Sequence, residues 1–145
     1  MRHHPVVCFR EDTAEVAART MAEQKAGVLP VVRKGSGGRL IGMVTDRDIC
    51  LRVVAEGRDP KLVTVAECMT STPIACGPRD DVQYAMMLMR EHQVRRIPIV
   101  DAEGRVGGVL CFSNLVNAQC DPDSLVDTLR LTCYPVTRSL AVTKA

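Results

Sequence analysis

The stretch that is best suited to chemistry reads Gly-Met-Val-Thr-Asp-Arg-Asp-Ile and spans residues 42–49. Within it, Thr45 and Asp48 have the three-residue spacing of a capping box at the start of a helix. The first amides of a helix point outward without partners and attract phosphate, and Arg47 adds a full positive charge. The Asp48 carboxylate can accept hydrogen bonds from a sugar diol, and Thr45 can donate or accept one. The pattern therefore predicts either a sugar-phosphate site or only a helix cap.

A strand before this stretch and a helix after it must position these side chains. The apolar residues at positions 40, 41, 43 and 44 favour a half-buried strand, and the helix is predicted from about Asp46 to Glu56. A small pocket forms where such a strand meets such a helix. The choice between a binding site and a simple cap depends on the place of this joint in the whole chain.

The chain contains an internal repeat. A shift of 68 residues superimposes identical residues without a gap, and then the register becomes 66, because the turn at 33–38 is two residues longer than the turn at 101–104. The matched pairs are Met1/Met69, Pro5/Pro73, Cys8/Cys76, Asp12/Asp80, Ala17/Ala85, Met21/Met89, Glu23/Glu91, Pro30/Pro98, Val32/Val100 and, in the second register, Gly42/Gly108. This pattern indicates a tandem duplication.

Each repeat predicts the same series of elements, which makes the fold class mixed α/β. A short extended segment precedes an amphipathic helix that Asp12 or Asp80 would cap, and a glycine-turn hairpin follows, over 28–44 and 97–110. A second helix closes each repeat, and in the second repeat it is predicted over about 112–119.

The predicted organisation has four parts. The first repeat spans residues 1–57, a linker with a short helix spans 58–68, the second repeat spans 69–120, and a C-terminal helix and tail span 121–145. Asp123 or Ser124 is expected to cap the C-terminal helix, with Val126 and Leu129 pointing inward.

The composition excludes several classes of function. Hydrophobic residues make up 46% of the 145 residues and aromatic residues only 3%, so the core must be aliphatic. The net charge is +2 without a run of Lys and Arg, which argues against a nucleic-acid partner. The sequence shows neither eighteen consecutive apolar residues nor an apolar leader segment, so we expect no membrane association and a cytoplasmic location.

An enzyme built on a cysteine nucleophile or a His/Cys metal site is the first alternative. The seven cysteines form no C-x-x-C pair and mostly lie in apolar runs, as is typical of reduced, small core residues. His3, His4 and His92 are far from any cluster of cysteines, and no metal-ligand spacing is present. We therefore expect no catalytic residue, no metal and no cofactor.

Four motifs, in order and repeated at the right spacing, resemble the paired cystathionine-β-synthase domains, called a CBS pair or Bateman module. The resemblance covers residues 1–119. Its carriers are Asp-Thr-Ala-x-x-x-Ala from residue 12, Leu-Pro-Val-Val from 29 with Ile-Pro-Ile-Val from 97, the 42–49 stretch, and Val-Ala-Glu-Cys-Met-Thr from 65.

The resemblance implies two β-α-β-β-α units packed through their sheets about a pseudo-twofold axis. Clefts between the units would hold adenosine ligands such as AMP, ADP, ATP or S-adenosylmethionine. By this resemblance, Thr45 supplies a hydroxyl, Asp48 binds the ribose and Arg47 faces phosphate. The second repeat would line the adenine slot with Ile74 and with Val94, Arg95, Arg96 and Ile97, and the two arginines would reach the phosphates.

The second copy departs from this pattern. Cys111, Ser113 and Asn114 stand where the first copy has its hydroxyl, cation and carboxylate, and Gly27 and Val28 replace the two arginines opposite. One competent nucleotide site is therefore expected instead of two.

The function that follows is regulatory binding of an adenine nucleotide without catalysis. The remaining alternative is a ligand-free dimerisation module, in which Asp48 and Arg47 would only cap and pair. A homodimer is expected in either case, formed through a Met-rich helix face that includes Met86 and Met89.

Overall fold

The computed structural model describes residues 5–117 and 121–133, which form a mixed α/β fold of two repeats. This fold confirms the expected class. The first repeat contains β1 (Cys8–Phe9), α1 (Ala14–Gln24), β2 (Val28–Val32), β3 (Leu40–Thr45) and α2 (Asp46–Ile49), which continues as a π-helical turn (Cys50–Val54). The connection contains α3 (Val65–Cys68), and β4 (Thr70–Ser71) follows it at the start of the second repeat. The second repeat contains α4 (Val82–His92), β5 (Arg96–Val100), β6 (Val106–Cys111) and α5 (Phe112–Asn117), and α6 (Pro122–Cys133) follows it.

A four-stranded sheet with the order β1-β2-β3-β4 joins the two repeats. Strand β1 is parallel to β2, and β2 and β3 form an antiparallel hairpin. Strand β4, at the start of the second repeat, lies antiparallel to β3, with Ser71 opposite Gly42 and Thr70 opposite Met43. The sheet of the first repeat is therefore completed by a strand of the second.

The second sheet contains the hairpin β5-β6, and Cys76 adds a parallel bridge to Ile99. The two hairpins also meet at their turns. The N–H of Leu40 donates to the carbonyl of Gly104, and the N–H of Val106 donates to the carbonyl of Gly38, both at 3.0 Å. Hydrogen bonds at two places along the chain thus fix the second repeat against the first.

Each repeat has its own aliphatic core. The connection contributes Val63, Val65 and Cys68 to the first core, so it is packed into that repeat. The second core includes Met86 and Met89, both 0% exposed. The expectation that these two methionines form an exposed dimer face is therefore wrong, because their side chains are needed inside the second repeat.

Helix α6 packs against α4 outside the second repeat. Leu125 and Thr128 point inward, and Nη1 of Arg90 donates to Oγ1 of Thr128 at 3.1 Å. Val126 and Leu129, expected to point inward, are exposed. The sequence prediction placed the helix face one residue too far along. The predicted tail from 136 to 145 lies outside the described residues.

The helix caps are also displaced by one residue from their predicted positions. Thr13 caps α1 and Asp81 caps α4, each accepting a hydrogen bond from a first-turn N–H. Asp12 and Asp80 instead accept a hydrogen bond from the N–H three residues before them, at 2.9 and 2.7 Å. The two repeats share this arrangement, so the aspartates stabilise the loop before the helix. The cap of α6 is Asp121 instead of the predicted Asp123 or Ser124, and it accepts a hydrogen bond from the N–H of Ser124 at 2.9 Å.

The second helix of each repeat differs from its predicted span. In the first repeat the regular helix is only four residues long, and the π-helical turn ends at Val54 instead of Glu56. In the second repeat α5 ends at residue 117, and residues 118–120 lie outside the described part.

Three of the five cysteines between residues 5 and 117 fit the expectation of small core residues. Cys8, Cys68 and Cys76 are buried, whereas Cys50 is exposed and Cys111 is half-buried. Burial, with a smaller contribution from the charge of Asp12, raises the pKa of the Cys8 thiol to about 12. Such a thiol stays protonated and unreactive at neutral pH. Among the described helices, none has the length and apolar character needed to cross a membrane.

We predict that Gly42→Ala destabilises the protein by about 1–3 kcal/mol, because it overpacks the contact between β3 and β4. A Cβ at position 42 would lie 2.8 Å from the carbonyl oxygen of Thr70 and 2.7 Å from Sδ of Met69. Urea unfolding followed by circular dichroism measures the change. Gly107→Ala is the matched control, since its nearest atom would be the Ile99 carbonyl oxygen at 3.7 Å. Equal stability of the two variants would contradict this account of the strand pairing.

Candidate functional site

A cleft of about 730 Å³ lies between the two repeats. Its first wall comes from the end of β3 and the start of α2. The second wall comes from the segment that leaves β4 and from the residues that join α4 to β5. This volume lies within the range of roughly 300–1,000 Å³ that is typical of small-molecule sites.

The structure brings together in this cleft seven of the eight residues that the sequence nominated. They are Thr45, Arg47, Asp48, Ile74, Val94, Arg95 and Arg96. The eighth, Ile97, has a side chain that is 0% exposed and lies in the second core. The alternation of a β-strand is the reason, because Arg96 and Pro98 line the cleft and Ile97 between them points to the opposite face. We therefore exclude the Ile97 side chain from the candidate site.

Thr45 and Asp48 form the expected capping box at the start of α2. The N–H of Asp48 donates to Oγ1 of Thr45 at 3.0 Å, and the N–H of Thr45 donates to Oδ2 of Asp48 at 2.9 Å. The Asp48 side chain is 17% exposed and contributes to the cleft wall. The cap thus holds a largely buried carboxylate at the surface of the cleft.

The second copy builds the same joint without the charge. The N–H of Cys111 donates to Oδ1 of Asn114 at 2.8 Å, just as the N–H of Thr45 donates to Asp48. In both copies the next N–H donates to the residue just before the first strand of the hairpin, Asp46 to the Gly27 carbonyl at 3.0 Å and Phe112 to the Arg95 carbonyl at 2.8 Å. A neutral amide oxygen is therefore sufficient for this bond of the cap. The negative charge of Asp48 is not required for it.

Arg96 reaches across the cleft toward the first repeat. A Cβ built on Gly27 would lie 2.9 Å from Nη2 of Arg96 and 2.9 Å from Oδ2 of Asp46. Both side chains occupy the space that a larger residue at position 27 would need. The absence of a side chain at Gly27 therefore lets the guanidinium of the second repeat approach the start of α2.

The sequence analysis missed several residues that line the cleft. These are Val28, Met43, Asp46, Thr70, Thr72, Pro73, His92, Gln93 and Pro98. Some of them lie beside nominated residues, so adjacency in the sequence was an available signal for His92 and Gln93, which precede Val94. Others, such as Met43 and Thr70, reach the cleft because β3 pairs with β4. No local pattern in the sequence specifies that pairing.

Thr72 adds a conformational feature to the cleft wall. Its φ is +50°, although it is β-branched and precedes Pro73. Both features disfavour this backbone conformation, which costs on the order of 1–3 kcal/mol and occurs preferentially at ligand sites. The strain at Thr72 therefore favours a functional role for this wall.

Charged groups of both signs line the cleft, and the cations outnumber the anions. Arg47, Arg95 and Arg96 face two carboxylates, those of Asp46 and Asp48. Within the described part of the chain, no group of three His, Cys, Asp or Glu side chains could hold a metal ion. The arrangement is suited to an anionic organic ligand that also carries hydroxyl groups.

Comparison with known proteins gives the family. A model described as "CBS domain" matches residues 1–55 and 65–121. The CBS domain-containing protein YhcV of Bacillus subtilis is 41% identical over 105 residues, which cover 72% of both chains. Hypoxic response protein 1 of Mycobacterium tuberculosis is 32% identical over 132 residues, which cover 90% of both chains.

A solved structure shows the same architecture. The CBS domain protein PAE2072 from Pyrobaculum aerophilum, complexed with AMP, superimposes with a TM-score of 0.73 at 26% identity, over 87% of this chain and 92% of that one. The inosine-5'-monophosphate dehydrogenase of Mycobacterium leprae is 29% identical over 119 residues, only 21% of its length. The duplicated sequence, the two-repeat fold and these matches agree, and the chain belongs to the CBS domain family as a tandem CBS pair.

Proposed function

We propose that this chain is a regulatory module that binds an adenine nucleotide in the cleft between its repeats and catalyses no reaction. The observation that carries the proposal is the charge of Asp48. A largely buried carboxylate costs free energy, and its counterpart Asn114 caps the equivalent turn without one. A ligand with paired hydroxyl groups, such as a ribose, gives that charge a function.

The arginines support a phosphorylated ligand. Arg47 follows the helix start, and the Arg96 guanidinium approaches the same helix start from the second repeat. A phosphate between them would accept charge-assisted hydrogen bonds, which guanidinium groups make with well-defined geometry. We place the ribose at Asp48 and the phosphate on the side of the arginines.

The apolar part of the cleft supports a flat, uncharged ring. Ile74 and Val94 are half-buried and line the second wall, and Val28 and Met43 come from the first repeat. A purine between these side chains would remove apolar surface from water on both of its faces. The AMP complex of the similar Pyrobaculum protein supports adenine as the base.

A regulatory role without catalysis agrees with the proteins that this chain resembles. The family model that matches residues 1–55 and 65–121 is that of the CBS domain. The match to the Mycobacterium leprae dehydrogenase covers only 21% of that enzyme's length. The arginines and carboxylates in the cleft are suited to binding anionic groups and hydroxyl groups of a ligand. We assign none of them as a nucleophile or general base, and we infer that a ligand changes the conformation or assembly of the module.

We predict that Asp48→Asn weakens AMP binding by at least about ten-fold, because it removes charge-assisted hydrogen bonds to the ribose worth roughly 1.5–3 kcal/mol each. The melting temperature of the ligand-free protein should change little, since Asn114 shows that an amide can serve the cap. Titration calorimetry gives the affinity and stoichiometry, and thermal denaturation gives the stability.

Asn114→Ala is the matched control for this prediction. It removes the equivalent cap from the second copy, so it should lower stability and leave AMP affinity unchanged. Binding of two AMP molecules per chain, or AMP affinity unaffected by Asp48→Asn, would show that the wrong cleft is assigned. A ligand-free dimerisation module predicts no stabilisation by AMP, ADP or ATP at any concentration.

The phosphate contact gives a second prediction. Arg96→Ala should weaken AMP binding by about ten-fold and adenosine binding by less than about two-fold, because only AMP offers the guanidinium an anionic partner. Parallel calorimetric titrations with both ligands measure the difference. Arg105→Ala is the control, since Arg105 lies outside the cleft and pairs with Asp101 at 2.8 Å. Equal losses for AMP and adenosine would contradict a phosphate contact at Arg96.

We propose further that the chain forms a homodimer through the helices of the first repeat. Val16 on α1, Val54 on the π-helical turn and Leu62 before α3 are 46%, 64% and 78% exposed. Hydrogen bonds from the start of α1 to the carbonyls of Pro60 and Val63, at 3.1 and 2.8 Å, hold two of these elements side by side. Exposed apolar groups on adjoining elements favour a symmetric interface.

Light scattering at micromolar concentration should therefore give twice the monomer mass of 15.9 kDa. Val54→Glu and Leu62→Glu should return it to the monomer, because each places a charge in the apolar face. Val126→Glu on α6 is the control and should leave the dimer intact, since α6 packs against α4 of the second repeat and its exposed valine is not part of the first repeat. A wild-type protein with the monomer mass would rule out the dimer.

A further inference from the structure

One side chain behind the cleft connects its two walls. Arg52 lies in the π-helical turn, one turn after Asp48, and does not itself line the cleft. Its Nη1 donates hydrogen bonds to the carbonyl oxygens of Cys68 and Met69, each at 3.1 Å. Its Nε lies 3.9 Å from Oδ1 of Asp48. A single guanidinium therefore contacts both the carboxylate of the first repeat and the backbone that leads into β4.

The two oxygens of Asp48 have different partners. Oδ2 accepts the capping hydrogen bond from the N–H of Thr45 at 2.9 Å. The 3.9 Å from Oδ1 to Arg52 is too long for a hydrogen bond and short enough for an ion pair. Within the described ranges 5–117 and 121–133, Oδ1 accepts no hydrogen bond, so it keeps its acceptor capacity for a ligand hydroxyl. Arg52 thus pairs with the carboxylate without donating a hydrogen bond to it.

The bonds to Cys68 and Met69 fix the other wall. Cys68 is the last residue of α3 and Met69 its C-cap, so their carbonyls lie at a helix end, where intrahelical partners are lacking. The next residue, Thr70, lines the cleft and pairs with Met43 of β3. Arg52 therefore links the Asp48 carboxylate to the residues that lead into the strand at the start of the opposite wall.

The comparison of the repeats points to a functional pair. The register of 66 aligns Asp48 with Asn114 and Arg52 with Ala118. The copy whose sequence lacks the carboxylate also lacks the guanidinium. The two residues occur together in one copy and are replaced together in the other, as expected of residues that act as a unit.

We infer that Arg52 is a positioning residue for the ligand, which holds Asp48 in the orientation that binds the ribose hydroxyls and ties it to the wall that begins at β4. This inference rests on the proposed function of the cleft. It assigns to one side chain outside the cleft a specific effect on affinity. It also predicts that this effect depends on the carboxylate of Asp48.

A double-mutant cycle with AMP as the probe tests this dependence. Arg52→Gln should weaken AMP binding by about three- to five-fold when Asp48 is present, the range expected for loss of a partly exposed ion pair. In the Asp48→Asn background the same change should alter affinity by less than about 1.5-fold, because Arg52 acts through the charge that is already gone. Titration calorimetry on the four proteins provides the comparison.

Arg58→Gln is the matched control for Arg52→Gln. Arg58 is the first residue of the connection and pairs with Glu67 of α3, with Nη2 2.7 Å from Oε1, but it neither pairs with Asp48 nor lines the cleft. Its replacement should leave AMP affinity unchanged. If Arg52→Gln does not fold, Arg52→Lys replaces it in the same cycle, and its effect must likewise disappear in the Asp48→Asn background.

Three results would overturn the inference. Equal weakening by Arg52→Gln in both backgrounds would mean that Arg52 acts independently of Asp48. Unchanged AMP affinity with a lowered melting temperature would mean that Arg52 only stabilises the fold. Failure of the wild-type protein to bind AMP, ADP or ATP would overturn the proposed function, and this inference with it.

Discussion

The cleft depends on the antiparallel pairing of β3 with β4. Gly42 faces Ser71 and Met43 faces Thr70, so the strand that carries Thr45 at its end is bonded to the first strand of the other repeat. The close approach is possible because Gly42 has no side chain to meet the Thr70 carbonyl. Without this contact the two walls would belong to separate units with no fixed spacing. The second contact, between the hairpin turns, fixes the relative orientation of the units.

The duplication makes an internal comparison possible, because two backbone hydrogen bonds at the joint are the same in both copies and the side chains vary. The bonds at the start of α2 recur at the start of α5, with nearly the same lengths. The repeats therefore share a local design, and the chemical difference between them lies in a few side chains. Asp48 with Arg52 in one copy and Asn114 with Ala118 in the other are the clearest case. An amide retains the cap, and only a carboxylate adds a charge that a ligand can use.

Packing decides what covers the apolar face of each helix. In α4 the methionines complete the second core, and α6 covers the helix from outside, with Leu125 packed against that core. Other exposed apolar groups lie away from this helix pair, among them Val54 of the first repeat and Leu62 of the connection. An apolar stripe on a helix predicts that something covers it. Only the packed structure distinguishes a core, another helix of the chain and a second protomer.

The sequence by itself determined the duplication, the α/β class, the family and the local geometry of the Thr45–Asp48 joint. These features depend on short-range spacing or on similarity between the two halves, both of which can be read directly from the order of residues. It also identified seven of the residues that line the cleft, since the family pattern specifies residues such as Ile74, Arg95 and Arg96 by position. Ile97 was misplaced because adjacent residues of a strand point to opposite faces.

Only the tertiary structure decided which distant residues meet. His92, Thr70 and Met43 reach one cleft, and Arg52 reaches the carbonyls of Cys68 and Met69, through contacts between segments that are far apart in the sequence. The burial of Met86 and Met89 was decided in the same way. Hydrophobic periodicity specifies that a face is buried, and the partner of that face follows from how strands pair and helices pack across the whole chain.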